Sequence, residues 1–321
     1  MIKHFGVQSY SRGKDETLRS MIEVTQEDYK TFVGERSSVV IDGLEIKLGR
    51  SWTIKSYGPQ NGYALERTTV WNFPDVGRWA THRGNYRGSW SPYIPRNLIL
   101  KYTEKGEWIL DQMMGSGTTL VEAKLLERNA IGLDINQNAV MVARDRLNFY
   151  YSPLFPDYVE PTIRTFCGDA RNLDKITDES IDLIATHPPY AKLISYTRSG
   201  NVEDDISQLP FEQFITAMYE VAQESFRVLK PGKVCAILVS DARKHKHYVP
   251  VSTRVLQVFL DVGFILKEDI VKIQRNLKWT SEKWRGEGYD FYVIGHEHIF
   301  IFEKPKDKNE AKKYKFSAKW W

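Results

Sequence analysis

The chain has 321 residues, 42% hydrophobic and 27% charged, with a formal net charge of +4 and two cysteines. That composition supports one large globular domain, or a core domain with a small appendage, and it excludes a disulfide framework, so Cys167 and Cys235 are expected as reduced core thiols. No apolar run approaches the roughly 20 residues of a membrane span, and Met1-Ile2-Lys3-His4-Phe5 lacks the apolar stretch of a signal peptide, which predicts a cytoplasmic protein with no membrane partner.

In chain order, residues 1–75 hold short β-like runs, Ser38-Val39-Val40-Ile41 and Glu45-Ile46-Lys47-Leu48, separated by Gly43. They follow no regular alternation, and 1–79 is assigned to a small N-terminal appended region whose topology the pattern leaves open and which could read a target. From about 105 onward, strand and helix signals alternate. Strand-like runs cover 107–111, 129–134, 162–167, 181–185 and 233–239. Between the last two, Phe211, Phe214, Ile215, Met218, Val221, Ala222, Phe226 and Leu229 make a helical stripe that predicts a helix over 211–229, ended by Pro231-Gly232. A second helix is predicted over 251–261, stopped by Gly263. Runs at 270–274 and 291–302 read as a strand pair joined by a long polar loop. The predicted fold class is α/β: a Rossmann-like, mainly parallel sheet over 80–303 with helices on both faces and an antiparallel C-terminal strand pair. Residues 304–321 form a basic tail, seven lysines against Asp307 and Glu310, expected to be solvated.

Two runs carry chemistry. Asp111-Gln112-Met113-Met114-Gly115-Ser116-Gly117-Thr118-Thr119 follows the 107–110 strand signal, so its glycines fall at a strand's carboxyl end, where backbone approaches a ligand closely. A nicotinamide fingerprint would need glycine at 120, and that position is Leu120. The next strand ends in Asp134, a carboxylate able to accept from both hydroxyls of a ribose, and a third ends in Asp169, placed to meet an adenine amino group. The second run, Thr186-His187-Pro188-Pro189-Tyr190, also follows a strand. Its two prolines fix φ and withhold two N–H donors, leaving carbonyls free to face an amine.

In type and spacing, the Asp-x-x-x-Gly-Ser-Gly-Thr-Thr run from Asp111, the acidic ends at Asp134 and Asp169, the Pro-Pro-Tyr turn and the upstream Trp90–Ile99 segment form one combination. It resembles the S-adenosylmethionine-dependent amino-methyltransferases of DNA, the N6-adenine and N4-cytosine group, over about 80–303. The resemblance implies S-adenosylmethionine as cofactor, held by Asp111, Met113, Gly115, Ser116, Gly117, Thr118, Thr119, Asp134 and Asp169, with Pro95 in the helix that helps hold the methionine part. It implies a catalytic set of His187, Pro188, Pro189 and Tyr190. The residue before Pro-Pro-Tyr and the first proline carbonyl polarise an exocyclic amine, and the aromatic ring stacks on an extruded base.

Three departures matter. Gln112 and Met113 stand where the family usually has Pro and Phe. His187 stands where it has Asp, Asn or Ser, so the target base stays open, with adenine N6 ahead of cytosine N4; neutral imidazole offers one acceptor nitrogen, which protonation removes. Only about 70 residues separate the two motifs, which leaves no room there for a large target-recognition domain. Nucleic-acid contacts are expected from Arg83, Tyr86 and Arg87 and from Lys278, Trp279, Lys283 and Arg285, and the polar stretch 195–208 reads as a lid. His245 and His247 lack the Cys or carboxylate set of a metal site, and no metal is expected. The implied function is DNA methylation in restriction-modification or phage defence, with DNA as partner and room for a homo-oligomer or a restriction or defence subunit. The alternatives are an RNA base methyltransferase and a catalytically silent nucleic-acid-binding subunit.

Overall fold

The structure is a computed structural model that describes residues 18–59, 63–151, 158–189, 205–274 and 290–318. The expected stacking residue Tyr190, most of the expected lid, and Lys278, Trp279, Lys283 and Arg285 lie outside the described residues.

The alternating signals become a nine-stranded sheet. From one edge to the other it runs β1 (Ile22–Val24), β7 (Ile163–Cys167), β6 (Asn129–Asp134), β5 (Trp108–Asp111), β8 (Ile181–Thr186), β9 (Leu229–Val239), β13 (His296–Glu303), β12 (Ile265–Ile273) and β4 (Val70–Trp71). The five strands from β7 to β9 are mutually parallel, and β13 runs antiparallel to both of its neighbours. The order moves outward from β5 through β6 to β7 and then resumes with β8 on the other side. That reversal opens a crevice at the carboxyl ends of β5 and β8.

Strand periodicity divides the core. Ile109, Ala130, Leu183 and Ala236 pack with α2 (Tyr93–Tyr102), α3 (Thr118–Leu125) and α4 (Gln137–Leu147) on one face. Their chain neighbours Leu110, Ile131, Ile184 and Ile237 pack with α5 (Phe211–Val228) and α6 (Val251–Val262) on the other. With both faces covered, these strands read as continuous apolar runs, as a parallel sheet requires.

Three boundaries differ from the sequence reading. The helix ends at Val228, not at Pro231-Gly232: Leu229 already pairs with Ile181, and Pro231 and Gly232 lie inside β9 where its register to β8 shifts. Leu229 continues the helical stripe but is fully buried against the sheet, so periodicity alone could not separate the two. The closing pair begins earlier than predicted on β12 and later on β13, with a register shift between Leu266 and Glu268.

The third difference is the N-terminal region, which shares the core of the sheet. β1 extends it antiparallel to β7, and β4 closes the far edge parallel to β12. α1 (Gln26–Glu35), opened by a Thr25–Asp28 capping box, and the hairpin of β2 (Ser38–Ile41) with β3 (Leu44–Lys47) cover α4. Asp145 of α4 fastens this layer. Its carboxylate accepts from Tyr29 Oη at 2.6 Å and the Gly49 amide at 2.9 Å, and its carbonyl accepts from Trp52 Nε1 at 2.8 Å. The basic tail is likewise anchored at its start, where Lys304 Nζ donates to the Leu229 carbonyl at 2.8 Å; beyond it, α7 (Lys308–Lys313) buries no residue.

Glu122 of α3 is the densest polar junction. Fully buried, it accepts from Trp79 Nε1 at 2.6 Å, His82 Nε2 at 2.8 Å and Arg96 Nη1 at 2.9 Å, joining the 79–82 segment and α2 to the helix behind the glycine loop. Removing the carboxylate leaves three buried donors without it. Glu122→Ala is therefore expected to lower unfolding free energy by about 3–5 kcal/mol in a denaturant titration, and Glu122→Gln by less. A loss under about 1 kcal/mol for Glu122→Ala would refute the junction's role.

Candidate active site

The glycine loop forms at the carboxyl end of β5 as expected. Gly115 has φ +50° and Gly117 φ +80°, both left-handed, and a Cβ on Gly117 would meet Ala143 Cβ of α4 at 2.9 Å. Glycine is thus required at 117 twice, by backbone conformation and by the close approach of a helix.

Asp111 sits at the centre. Its carboxylate, 2% exposed, accepts from Thr119 Oγ1 at 2.5 Å, from Thr186 Oγ1 at 2.9 Å and from the Met113 amide at 3.2 Å. One side chain therefore joins the first turn of α3 to the last residue of β8, directly before His187. Burial pushes its pKa up to about 6, against the opposing pull of those three donors. Gln112 replaces the family's proline without disturbing the loop, its buried amide oxygen accepting from Ser225 Oγ of α5 at 2.8 Å.

Asp134 ends β6 beside the loop, half-buried, and accepts from the amides of Gly115 and Asn136, each at 2.9 Å. Burial raises its pKa to about 7, offset in part by the two amides and reinforced by the charges of Asp205 and Asp111. Asp169 differs from expectation. Its carboxylate is taken by Arg171, with Nη2 to Oδ2 at 2.6 Å and Nε to Oδ1 at 3.0 Å, a fork-on-carboxylate pair that leaves less of it for an adenine amine.

Pro95 is buried in the first turn of α2, while Ser91 and Pro92 before it line a cleft of about 280 Å³ together with Tyr86, Ser89, Trp90 and Thr118. Tyr86 is a correction. Expected on nucleic acid, it lies over the glycine loop, its Cε1 3.0 Å from where a Cβ on Gly115 would stand. Arg83, also expected there, stacks on Trp52 at 4.5 Å and lines the cleft; Arg87 is exposed.

His187, half-buried, lies beside Trp90 with ring centroids 6.1 Å apart and planes 24° from parallel, followed by buried Pro188 and half-buried Pro189. Burial holds the imidazole below its usual pKa. Glu297 and a hydrogen bond with the Gly88 backbone oppose this, and Lys272 adds to it. Glu297 and Lys272 are themselves paired at 2.7 Å across β13 and β12. The sequence reading did not find Trp90, Lys272 and Glu297 as neighbours of the turn, because they come from three distant segments. Arg146, against Ser116, was missed for the same reason.

The comparisons with known proteins agree with this arrangement. A family model described as DNA methylase, of the N6/N4 type, matches residues 8–145 and 181–321, and the chain belongs to that family of S-adenosylmethionine-dependent methyltransferases. A second model, an RMKL-like methyltransferase domain, matches 98–229. The chain is 27% identical over 170 residues to the type II methyltransferase M.MjaI of Methanocaldococcus jannaschii, covering 44% of this chain and 55% of that one. It is 32% identical over 149 residues to M.MjaVI of the same organism, covering 45% and 72%. It is also 34% identical over 169 residues to a tRNA (guanine(10)-N2)-dimethyltransferase of Methanothermobacter thermautotrophicus, covering 51% and 47%. The chain thus spans about half the length of M.MjaI and of the tRNA enzyme.

S-adenosylmethionine is the cofactor of this family, and the residues fit it: two left-handed glycines clear a loop between adjacent strand ends, and Asp134 stands beside them as an acceptor. Asp134 must be ionised to accept from two ribose hydroxyls, and its raised pKa sets the window. Cofactor affinity is expected to be full above pH 8 and to fall as pH drops through about 7. Asp134→Asn should flatten that dependence, and Asp134→Ala should weaken binding at least about tenfold. Calorimetry between pH 8 and 6 checks both, and a flat wild-type profile would remove the ribose from Asp134.

Proposed function

We propose that this protein is a cytoplasmic DNA methyltransferase that moves a methyl group from S-adenosylmethionine to an exocyclic amino nitrogen of an extruded base, adenine N6 ahead of cytosine N4, in restriction-modification or phage defence. The observation that carries the reading is the Asp111 bridge, which sets the His187-Pro188-Pro189 turn against the glycine loop. Family membership supports the same chemistry. When bound, the cofactor supplies an electrophilic methyl group. The chain supplies the rest.

An exocyclic amine is a poor nucleophile because its lone pair is delocalised into the ring. Two acceptors aimed at its hydrogens draw the nitrogen toward tetrahedral geometry and stabilise the charge that develops in attack. In this reading they are the Pro188 carbonyl and the acceptor nitrogen of His187. The environment of His187 supports a neutral imidazole at pH 7, since burial lowers its pKa. Tyr190, next in the chain, is the stacking face for the base.

A second reading is favoured by one observation. The 34% identity to a tRNA dimethyltransferase makes an RNA amine the competing substrate. Incubation with duplex DNA and with total RNA, followed by hydrolysis to nucleosides and mass spectrometry, identifies polymer and base together. N6-methyladenosine or N4-methylcytidine in deoxy form is the expected product; methylation confined to ribonucleosides would replace the DNA reading.

The catalytic turn is tested by single-turnover rates. His187→Ala is expected to slow transfer by about 100-fold with little change in DNA affinity, while His187→Asn, which keeps an acceptor, restores much of the rate. The wild-type rate should decline below the lowered imidazole pKa as the acceptor is protonated, and His187→Asn should lack that limb. Tyr190→Ala should lose about 1–3 kcal/mol of base stacking and leave cofactor binding intact. Wild-type rates in all three variants would remove the turn from catalysis.

Lys278, Lys283 and Arg285 are proposed phosphate contacts. Replacing all three by Ala should reduce the log–log salt slope of DNA binding by about 0.9 per lost contact, measured by fluorescence anisotropy. An unchanged slope would assign the DNA path to other residues.

A further inference from the structure

Arg146 stands in the last turn of α4 and is 3% exposed. Its guanidinium is surrounded by neutral acceptors. Nη1 donates to Ser116 Oγ at 2.5 Å and Nη2 to Asn85 Oδ1 at 2.9 Å. Among the described residues no ion pair joins it to a carboxylate. The adjacent Asp145 is engaged by Tyr29 and the Gly49 amide. Burial of this cation, partly offset by Tyr86 and Asp145, moves its pKa down to about 10. An arginine buried without a counter-charge is unfavourable unless an anion joins it.

A second, independent feature lies at the same place. α3 begins at Gly117, a left-handed N-cap that brings no side-chain cap to the helix's first N–H groups, so the positive end of the helix dipole is open there. Ser116 connects the two positive features to the cleft. Its hydroxyl accepts from Arg146 and shares a hydrogen bond of 2.8 Å with Ser89, which lines the cleft with Thr118.

We propose that Arg146, with Ser116 and the open end of α3, is the seat of the carboxylate on the methionine part of the cofactor. S-adenosylmethionine has one anionic group, that carboxylate; its sulfonium and ammonium are cations, which suit the acidic strand ends at Asp111 and Asp134. Asn85 Oδ1 holds the place of a carboxylate oxygen on Nη2, and an ionised acceptor makes the stronger, charge-assisted bond to a guanidinium. The 82–90 segment, which reaches the loop through Asn85, Tyr86 and Ser89, gives way at Asn85 when the carboxylate arrives. Arg146 is thus a specificity-determining residue for the amino-acid end of the cofactor, and the assignment holds whichever polymer is methylated.

Calorimetry of the full chain with S-adenosylmethionine, with its decarboxylated analogue and with 5′-methylthioadenosine tests this without turnover. Wild type is expected to bind the decarboxylated analogue about 10- to 100-fold more weakly than the intact cofactor. Arg146→Met should shrink that gap to within about threefold while leaving affinity for 5′-methylthioadenosine unchanged. Because Arg146 is also packed in the core, two milder variants accompany it. Ser116→Ala should narrow the gap, and Asn85→Ala should raise affinity for the intact cofactor alone. Equal wild-type binding of cofactor and decarboxylated analogue, or a Ser116→Ala loss shared equally by all three ligands, would overturn the assignment. Failure of wild type to bind any of the three would overturn the cofactor itself, a separate result.

Discussion

The carboxylate of Asp111 is the constraint around which the rest is arranged. It is buried at the end of the central strand, and its hydrogen bonds from Thr119 and Thr186 hold the cofactor helix and the catalytic strand in fixed relation. A buried carboxylate needs donors to remain tolerable in a low-dielectric interior, and two threonine hydroxyls and a backbone amide answer that need. The same bonds that stabilise Asp111 therefore position the chemistry. Reacting groups placed on two different strands can act together only if such a connection keeps them in register.

Around this centre the charges are segregated. Acidic side chains lie at the ends of β5, β6 and β7, and the buried cation Arg146 lies behind the loop on the side of α4. The cofactor is itself an asymmetric ion, with a sulfonium and an ammonium near one carboxylate, so an asymmetric field can orient it before any base arrives. The catalytic turn lies in a different environment. His187 is placed among an indole ring, proline and a paired Lys272–Glu297, where burial favours the neutral ring. A histidine in place of the family's usual Asp, Asn or Ser thus remains compatible with an acceptor role.

The N-terminal residues show why sequence periodicity misjudged an appended unit. Strands of two or three residues, such as β4 and β1, carry too few alternations to register as a period, yet each closes an edge of the main sheet. Their attachment depends on single long-range bonds, such as Arg144 Nε to the Val24 carbonyl at 2.9 Å and Tyr29 to Asp145. Likewise, Leu229 belongs to a helical stripe by spacing and to a strand by pairing.

By itself the sequence determined the layered class, the glycine loop between Asp111 and Asp134, and the Pro-Pro turn, because each is written in residues adjacent along the chain: alternating apolar runs, glycines that permit positive φ, prolines that restrict it. Tertiary structure alone decided which distant groups meet there. It laid Tyr86 on Gly115, Trp90 beside His187, Arg171 on Asp169 and Arg146 under Ser116. It also moved the N-terminal residues into the sheet's edges. Such meetings follow from strand order and the packing of helices on two faces, which act between residues tens to over a hundred positions apart and leave no local pattern to read.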